Sequence, residues 1–139
     1  MNNLDLKIST FIQEHHVLSL STLDIKNELS SCSVFYTFDE KEVCFVFASE
    51  EKTEHIQNIL INEKVAASIH FETKEIGTIR GIQVKAIVSK AQSKEKINYL
   101  KAFPYAIAMK NLQLWKMKVI SFKYTDNRLG FGKKVTWAR

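Results

Sequence analysis

The residues best suited to chemistry cluster where the chain changes character. Ser49-Glu-Glu-Lys-Thr53 follows a strand-like run over residues 42–48. It precedes a helical pattern reaching about Asn62, with Ile56, Ile59 and Leu60 on one stripe. A strand feeding a helix N-terminus gathers unpaired backbone N–H groups and the positive end of the helix dipole, and both favour a phosphate. Ser49, Lys52 and Thr53 add two hydroxyls and a cation. The same residues also fit an ordinary helix start: Ser49 as N-cap, Glu50 and Glu51 answering the dipole, Lys52 in solvent.

Arg80-Gly-Ile-Gln-Val-Lys85 alternates, with Arg80, Ile82 and Val84 on one face and Gln83 and Lys85 on the other. A buried Gln needs a partner, and its amide suits any planar ring with donors and acceptors; an exposed edge position is the plainer alternative. Gly130-Phe-Gly-Lys-Lys134 has the residue types of a phosphate loop but not the G-x-x-x-x-G-K-[ST] spacing, and it precedes a strand. A turn with two glycines at positive φ explains it equally. Lys133, Lys134 and Arg139 would nonetheless suit a dianion or an acidic surface.

His15, His16, His55 and His70 show no metal-ligand spacing, and neither H-x-x-x-H nor C-x-x-C occurs. No G-x-S-x-G appears and neither cysteine adjoins an obvious base, which argues against nucleophilic hydrolysis. With a hairpin centred near Glu40, Cys44 faces Tyr36, and Cys32 lies roughly 13 Å further along at ~3.3 Å per residue. That is beyond bridging distance. Two reduced thiols and a cytoplasmic setting follow.

The elements that must hold these residues are short and regular. Residues 3–16 place Leu4, Ile8, Phe11 and Ile12 on one helical face. Strands are expected over 17–22, 29–38, 42–48, 64–71, 77–91, 112–124 and the closing run from Lys134, with a bend at Gly81 and a helix from Lys94 stopped by Pro104. In the 42–48 strand Phe45 and Phe47 point one way and Val46 the other, so both faces need cover. Six or seven antiparallel strands with three helices imply a mainly β fold, a small barrel with helices at its side or ends.

The 139 residues fit one domain over 1–139, and 45% hydrophobic with 25% charged residues excludes a disordered chain. Neither a secretory leader nor an apolar run of membrane-spanning length is visible. The net charge of +5 is uneven: residues 1–109 hold 12 basic and 14 acidic side chains, residues 110–139 eight basic and one acidic. An anionic partner should be sought there first. Nucleic acid is one reading of that segment, with Phe122, Tyr124, Phe131 and Trp137 interleaved. Aromatics at strand spacing are more often core, which makes nucleic acid the weaker reading.

Four segments together resemble the flavin-binding split barrels related to pyridoxamine 5′-phosphate oxidase, most closely the small, functionally uncharacterised YhbP-like branch. They are Phe35-Tyr-Thr-Phe-Asp39, Glu51-Lys-Thr53, Ile79-Arg-Gly-Ile-Gln-Val-Lys85 and Tyr124-Thr-Asp-Asn-Arg-Leu-Gly-Phe-Gly-Lys-Lys-Val-Thr-Trp137. The resemblance spans nearly the whole chain and implies a homodimer with FMN at the subunit interface. It implies that Ser49, Lys52 and Thr53 hold the phosphate, that the ring lies near Phe35, Tyr36 and Thr37, and that Gln83 reaches it. Trp137 with Lys133 or Lys134 would close the site from the other subunit. Glu51 departs from the Arg or Ser that many members carry there, and a carboxylate beside a phosphate costs on the order of 1 kcal/mol in solvent. That either lowers FMN affinity or shifts the phosphate toward Lys133 and Lys134. The expectation is a flavin-dependent oxidoreductase of small molecules, with NAD(P)H a possible donor. A non-catalytic flavin or haem module, with one of the four histidines as axial ligand, is the alternative.

Overall fold

The computed structural model describes residues 3–109 and 112–139. The expectations resting on Met1, Asn2 and Lys110 lie outside them. Helix α1 (Leu6–Glu14) starts where the Asp5 carboxylate accepts from the Lys7 N–H, and it buries Ile8, Phe11 and Ile12. Seven strands follow: β1 (Val17–Leu23), β2 (Leu29–Asp39), β3 (Cys44–Ala48), β4 (Lys64–His70), β5 (Arg80–Lys90), β6 (Leu114–Asp126) and β7 (Lys134–Ala138). Helix α2 (Glu54–Ile61) lies between β3 and β4, and α3 (Ser93–Ala102) between β5 and β6.

The strands run β3-β2-β1-β4-β5-β6-β7, and β3 also pairs with β6, closing six of them into an antiparallel barrel. Closure leaves those six strands without a bare edge. One edge of β6 serves two partners: Leu114 to Lys118 pair with β3, and Ser121 to Thr125 pair with β7. Between Lys85 and Ala86 the β5–β6 register shifts, and Ile120 is the extra residue. This bulge, rather than Gly81, is where the ladder is interrupted.

Alternation fills the barrel. Leu18 and Leu20, then Ile82, Val84, Ala86 and Val88, then Met117, Val119, Phe122 and Tyr124 point inward and are buried. On β3 the four residues Cys44–Phe47 are all buried. Phe45 and Phe47 join the barrel core, whereas Val46 packs with Tyr99 of α3, Ala106 and Leu114 outside it. The two-faced apolar pattern of this strand therefore corresponds to a barrel wall covered by α3.

Two local readings need correction. The β2–β3 hairpin pairs Asp39 with Cys44 and Tyr36 with Phe47, so its centre lies beyond Glu40. The Asp39 carboxylate accepts from the Lys41 and Glu42 N–H groups, and Val43 adopts φ 51°. That side-chain capture makes a longer loop than the sequence pattern suggests. Cys44 is consequently seven residues out of register with Cys32, about 23 Å at ~3.3 Å per residue, and both thiols are free. Helix α2 starts at Glu54 with Thr53 as N-cap, so Ser49 is no cap, and Glu50 to Thr53 form a turn closed by the Thr53 N–H donating to the Glu50 carbonyl.

Candidate functional site

The turn from β3 into α2 is held on every side. The Ser49 N–H donates to the Gln113 carbonyl at 3.0 Å, and the Ser49 carbonyl accepts from the Trp115 indole at 2.9 Å. The Glu51 N–H donates to the Gln113 side chain, and Gln57 Nε2 to the Glu51 carbonyl. Within this frame the Ser49 hydroxyl and His55 Nε2 share a hydrogen bond of 2.5 Å. Thr53 Oγ1 lies 3.4 Å from each of them and donates to the Glu50 carbonyl. The Thr53 side chain makes no cap hydrogen bond to the first N–H groups of α2. Burial pushes the His55 imidazole pKa down, against the opposing charge of Glu54.

The donor set fits a phosphate; the local charge opposes it. Glu50, Glu51 and Glu54 outnumber Lys52, whose ammonium lies 3.2 Å from the Glu50 carboxylate in solvent. Gln113 and Trp115 are not anticipated from sequence here, and His55, anticipated only as a candidate haem ligand, meets the Ser49 hydroxyl instead. Trp115 arrives from β6 and Gln113 from the residue just before it, each about sixty residues or more away.

The other anticipated residues lie at separate places. On β2, Phe35 is 61% exposed, but Tyr36 is only 4% exposed and donates its hydroxyl to the Ile12 carbonyl at 2.6 Å. Burial pushes that phenol's pKa up. Tyr36 is thus committed to seating α1 on the barrel. Thr37 lines a groove of about 930 Å3 between the end of α1, the β2–β3 hairpin and α3, together with His15, His16, Lys94 and Lys101. Continuing the β2–β3 register sets Phe35 opposite Ala48, one strand from Ser49.

Gln83 is exposed on the outer barrel wall, in a cross-strand row with Ser33, Ser19, Ser68, Lys123 and Thr136. Along that row it lies four strands from β3, about 19 Å around the wall; the other way, through β6, it is two strands from β3 but displaced along them. Trp137 packs on Phe122 at 5.8 Å, opposite it in the β6–β7 ladder, nine residues along from Gln113. That is about 30 Å at ~3.3 Å per residue. Lys133 is exposed in a turn whose glycines have φ 128° (Gly130) and 75° (Gly132), and Lys134 donates to Thr125 Oγ1. Within one chain, then, the Ser49 and Thr53 hydroxyls meet, Lys52 sits in the same turn but faces Glu50, Phe35 is one strand away, and Gln83, Lys133, Lys134 and Trp137 are remote.

Much of the basic C-terminal charge has structural partners. Arg128 donates to both oxygens of the buried Asp126, whose carboxyl is pulled down to about 2 chiefly by that hydrogen bond. Lys116 lies 3.5 Å from Glu95, and Arg139 donates to the Val119, Glu42 and Val43 carbonyls while its guanidinium lies over Trp137. Among the described residues no group of three His, Cys, Asp or Glu side chains could hold a metal ion. No described helix is long and apolar enough to cross a membrane.

No family model matches the sequence. A UPF0306 protein from Yersinia pseudotuberculosis serotype O:3 (strain YPIII) is 34% identical over 145 residues, covering 100% of this chain and 97% of the relative. The chain belongs to the UPF0306 family. Its UPF0306 fold matches the crystal structure of HutZ, a haem storage protein from Vibrio cholerae, with a TM-score of 0.70 at 13% identity, covering 99% of this chain and 95% of that one. It matches a NimC/NimA family protein from Clostridium acetobutylicum with a TM-score of 0.71 at 15% identity, covering 96% and 90%. At such identities the likeness establishes the fold that UPF0306 shares with these split barrels, and the fold alone.

Proposed function

We propose that this UPF0306 protein is an FMN-binding split barrel that works as a cytoplasmic homodimer, a flavin-dependent oxidoreductase of small molecules. The observation that carries the reading is the prebuilt turn at the end of β3. Two hydroxyls converge there beside the start of α2, where the Thr53 side chain makes no cap hydrogen bond, with Lys52 in the same turn. In this reading Lys52 turns from the Glu50 carboxylate to the phosphate, Thr53 gives up its hydrogen bond to the Glu50 carbonyl, and Ser49 and Thr53 then donate to the phosphate. Phe35 offers an exposed apolar face one strand away, and Gln83 and Trp137 contact the ring. Bound flavin would supply hydride or electron transfer; the protein supplies position and electrostatics.

A second copy is needed because Trp137 lies roughly 30 Å along β6 from the turn in the same chain, Lys134 about 40 Å, and Lys133 beyond it. Replacing Lys52 by Ala should weaken FMN binding several-fold in a fluorescence titration. Unchanged affinity would move the phosphate elsewhere.

Haem is the second reading, favoured by His15. Its Nδ1 lies 2.7 Å from the Phe11 carbonyl, to which it can only donate, leaving Nε2 as a free lone pair when neutral. That is the arrangement of a metal-ligating imidazole. His15 borders both the 930 Å3 groove and a cleft of about 360 Å3 shared with His16 and His70. A Soret band that shifts in His15→Ala would support haem, and a flavin spectrum in the purified protein would exclude it as the resident cofactor.

A further inference from the structure

The turn between β3 and α2 has a charge problem that its own residues can solve. A phosphate monoester carries roughly −1.5 to −2 charges near neutral pH. Around the Ser49 hydroxyl stand Glu50, Glu51 and Glu54, and the nearby ammonium, Lys52, already faces Glu50. One further group there can become positive: His55, whose Nε2 touches the Ser49 hydroxyl at 2.5 Å and lies 3.4 Å from that of Thr53.

We propose that His55 is the second cation of this site: it binds a phosphate monoester as the imidazolium, between Ser49 and Thr53, and takes up a proton when the ligand arrives. The inference rests on the flavin-phosphate reading for the ligand's identity and on the Ser49–Thr53–His55 cluster for its geometry. The two hydroxyl oxygens and Nε2 lie 2.5–3.4 Å from one another, close enough for one ligand oxygen to meet all three once Thr53 releases the Glu50 carbonyl. When the Ser49 hydroxyl turns to the ligand, Nε2 is released to donate to it, and a charged donor binds an anionic oxygen more strongly than a neutral one.

The surroundings set the direction of the pH dependence. Burial holds His55 neutral in the free protein near pH 7, opposed by Glu54 beside it on α2. From the barrel wall, the Cys32 thiol of β2 is raised by burial and by the charge of Glu54, so it stays protonated and adds no charge. A bound dianion raises the imidazole pKa. Proton uptake on binding makes the affinity rise as pH falls, up to about tenfold per unit between the free and bound pKa values.

Two measurements on the full-length protein decide the matter. The His55 ring pKa is followed by NMR with and without saturating inorganic phosphate, against chloride at equal ionic strength. FMN and riboflavin are titrated by flavin fluorescence at about pH 6.5, the ordinary histidine pKa, and at about pH 8.5, where an ordinary histidine is neutral and lysine still charged. The proposal expects phosphate to raise the His55 pKa and FMN to bind at least several-fold tighter at the lower pH. Riboflavin should be indifferent to pH, and His55→Gln should flatten the FMN dependence. A His55 pKa unmoved by phosphate and FMN, or an FMN dependence retained in His55→Gln, overturns it. If phosphate raises the His55 pKa and neither flavin binds, the anion role stands and the flavin reading falls.

Discussion

Single contacts decide which residues are free to act. Ser49 is the clearest case: its backbone is fixed at both ends by β6, while its hydroxyl meets an imidazole. The local pattern of hydroxyls and a lysine before a helix is readable from spacing alone. Its second half is not, because Trp115 and Gln113 come from β6 and the residue just before it, about sixty residues on, and His55 at i+6 is anticipated only as a candidate haem ligand. Tyr36 shows the opposite failure: strand alternation alone does not reveal that its hydroxyl is committed to the Ile12 carbonyl. Asp126 is buried with Arg128 and Tyr124 donating to it. Its folded pKa, about 2, lies below the ordinary 3.8. A depressed carboxylate stabilises the fold above the unfolded pKa, and this contribution is lost as pH falls from about 4 through about 2. Asp126→Asn should therefore cost ~1–3 kcal/mol at neutral pH in urea unfolding, with the difference from wild type shrinking in acid.

At the scale of elements, β3 is the hinge of the account. Its sequence announces two apolar faces, and the barrel core and α3 supply the two covers. Phe45 is fully buried and touches Tyr36, Phe38 and Phe122 rings, so Phe45→Ala should lose ~3–5 kcal/mol in denaturant titration. What the strand's sequence does not reveal is its register, since the Asp39 side chain rather than a two-residue turn sets the loop. The start of α2 is hidden for a related reason. Ser49, Glu50 and Glu51 have the composition of a cap and first turn, yet Thr53 occupies the cap after β6 fixes the preceding residues. The Gly130–Gly132 turn is read correctly from sequence, because two positive φ angles leave few other residues suitable. Gly132→Ala, at φ 75°, should cost about 1 kcal/mol or more in the same assay while leaving the far end of the barrel unaffected.

Over the whole molecule, closure of six strands distributes the anticipated site residues around a cylinder. Their sequence neighbourhoods suggest one site; the topology shows four places, on β2, at the β3–α2 turn, on the β5 wall and at β7. Alternation and turn residues make the barrel readable, whereas the way strands wrap depends on pairings that no single segment encodes. The +5 net charge also reads differently once folded, since Arg128, Lys116 and Arg139 already have partners. Retention on nucleic acid should accordingly be weak and vanish at moderate salt in a filter-binding assay. The proposed shared site requires the β7 residues of one copy to meet the turn of another, and sedimentation equilibrium at micromolar concentration should then give a dimer. A monomer there would remove the ground for a shared site. The central claim is that the β3–α2 turn binds the phosphate of FMN. Its most direct test is a fluorescence titration of FMN into purified wild-type protein and Lys52→Ala. The account predicts saturable quenching at one flavin per chain in the wild type and several-fold weaker binding in the variant. Absence of FMN binding to wild-type protein that instead takes up haem with a Soret band would contradict it.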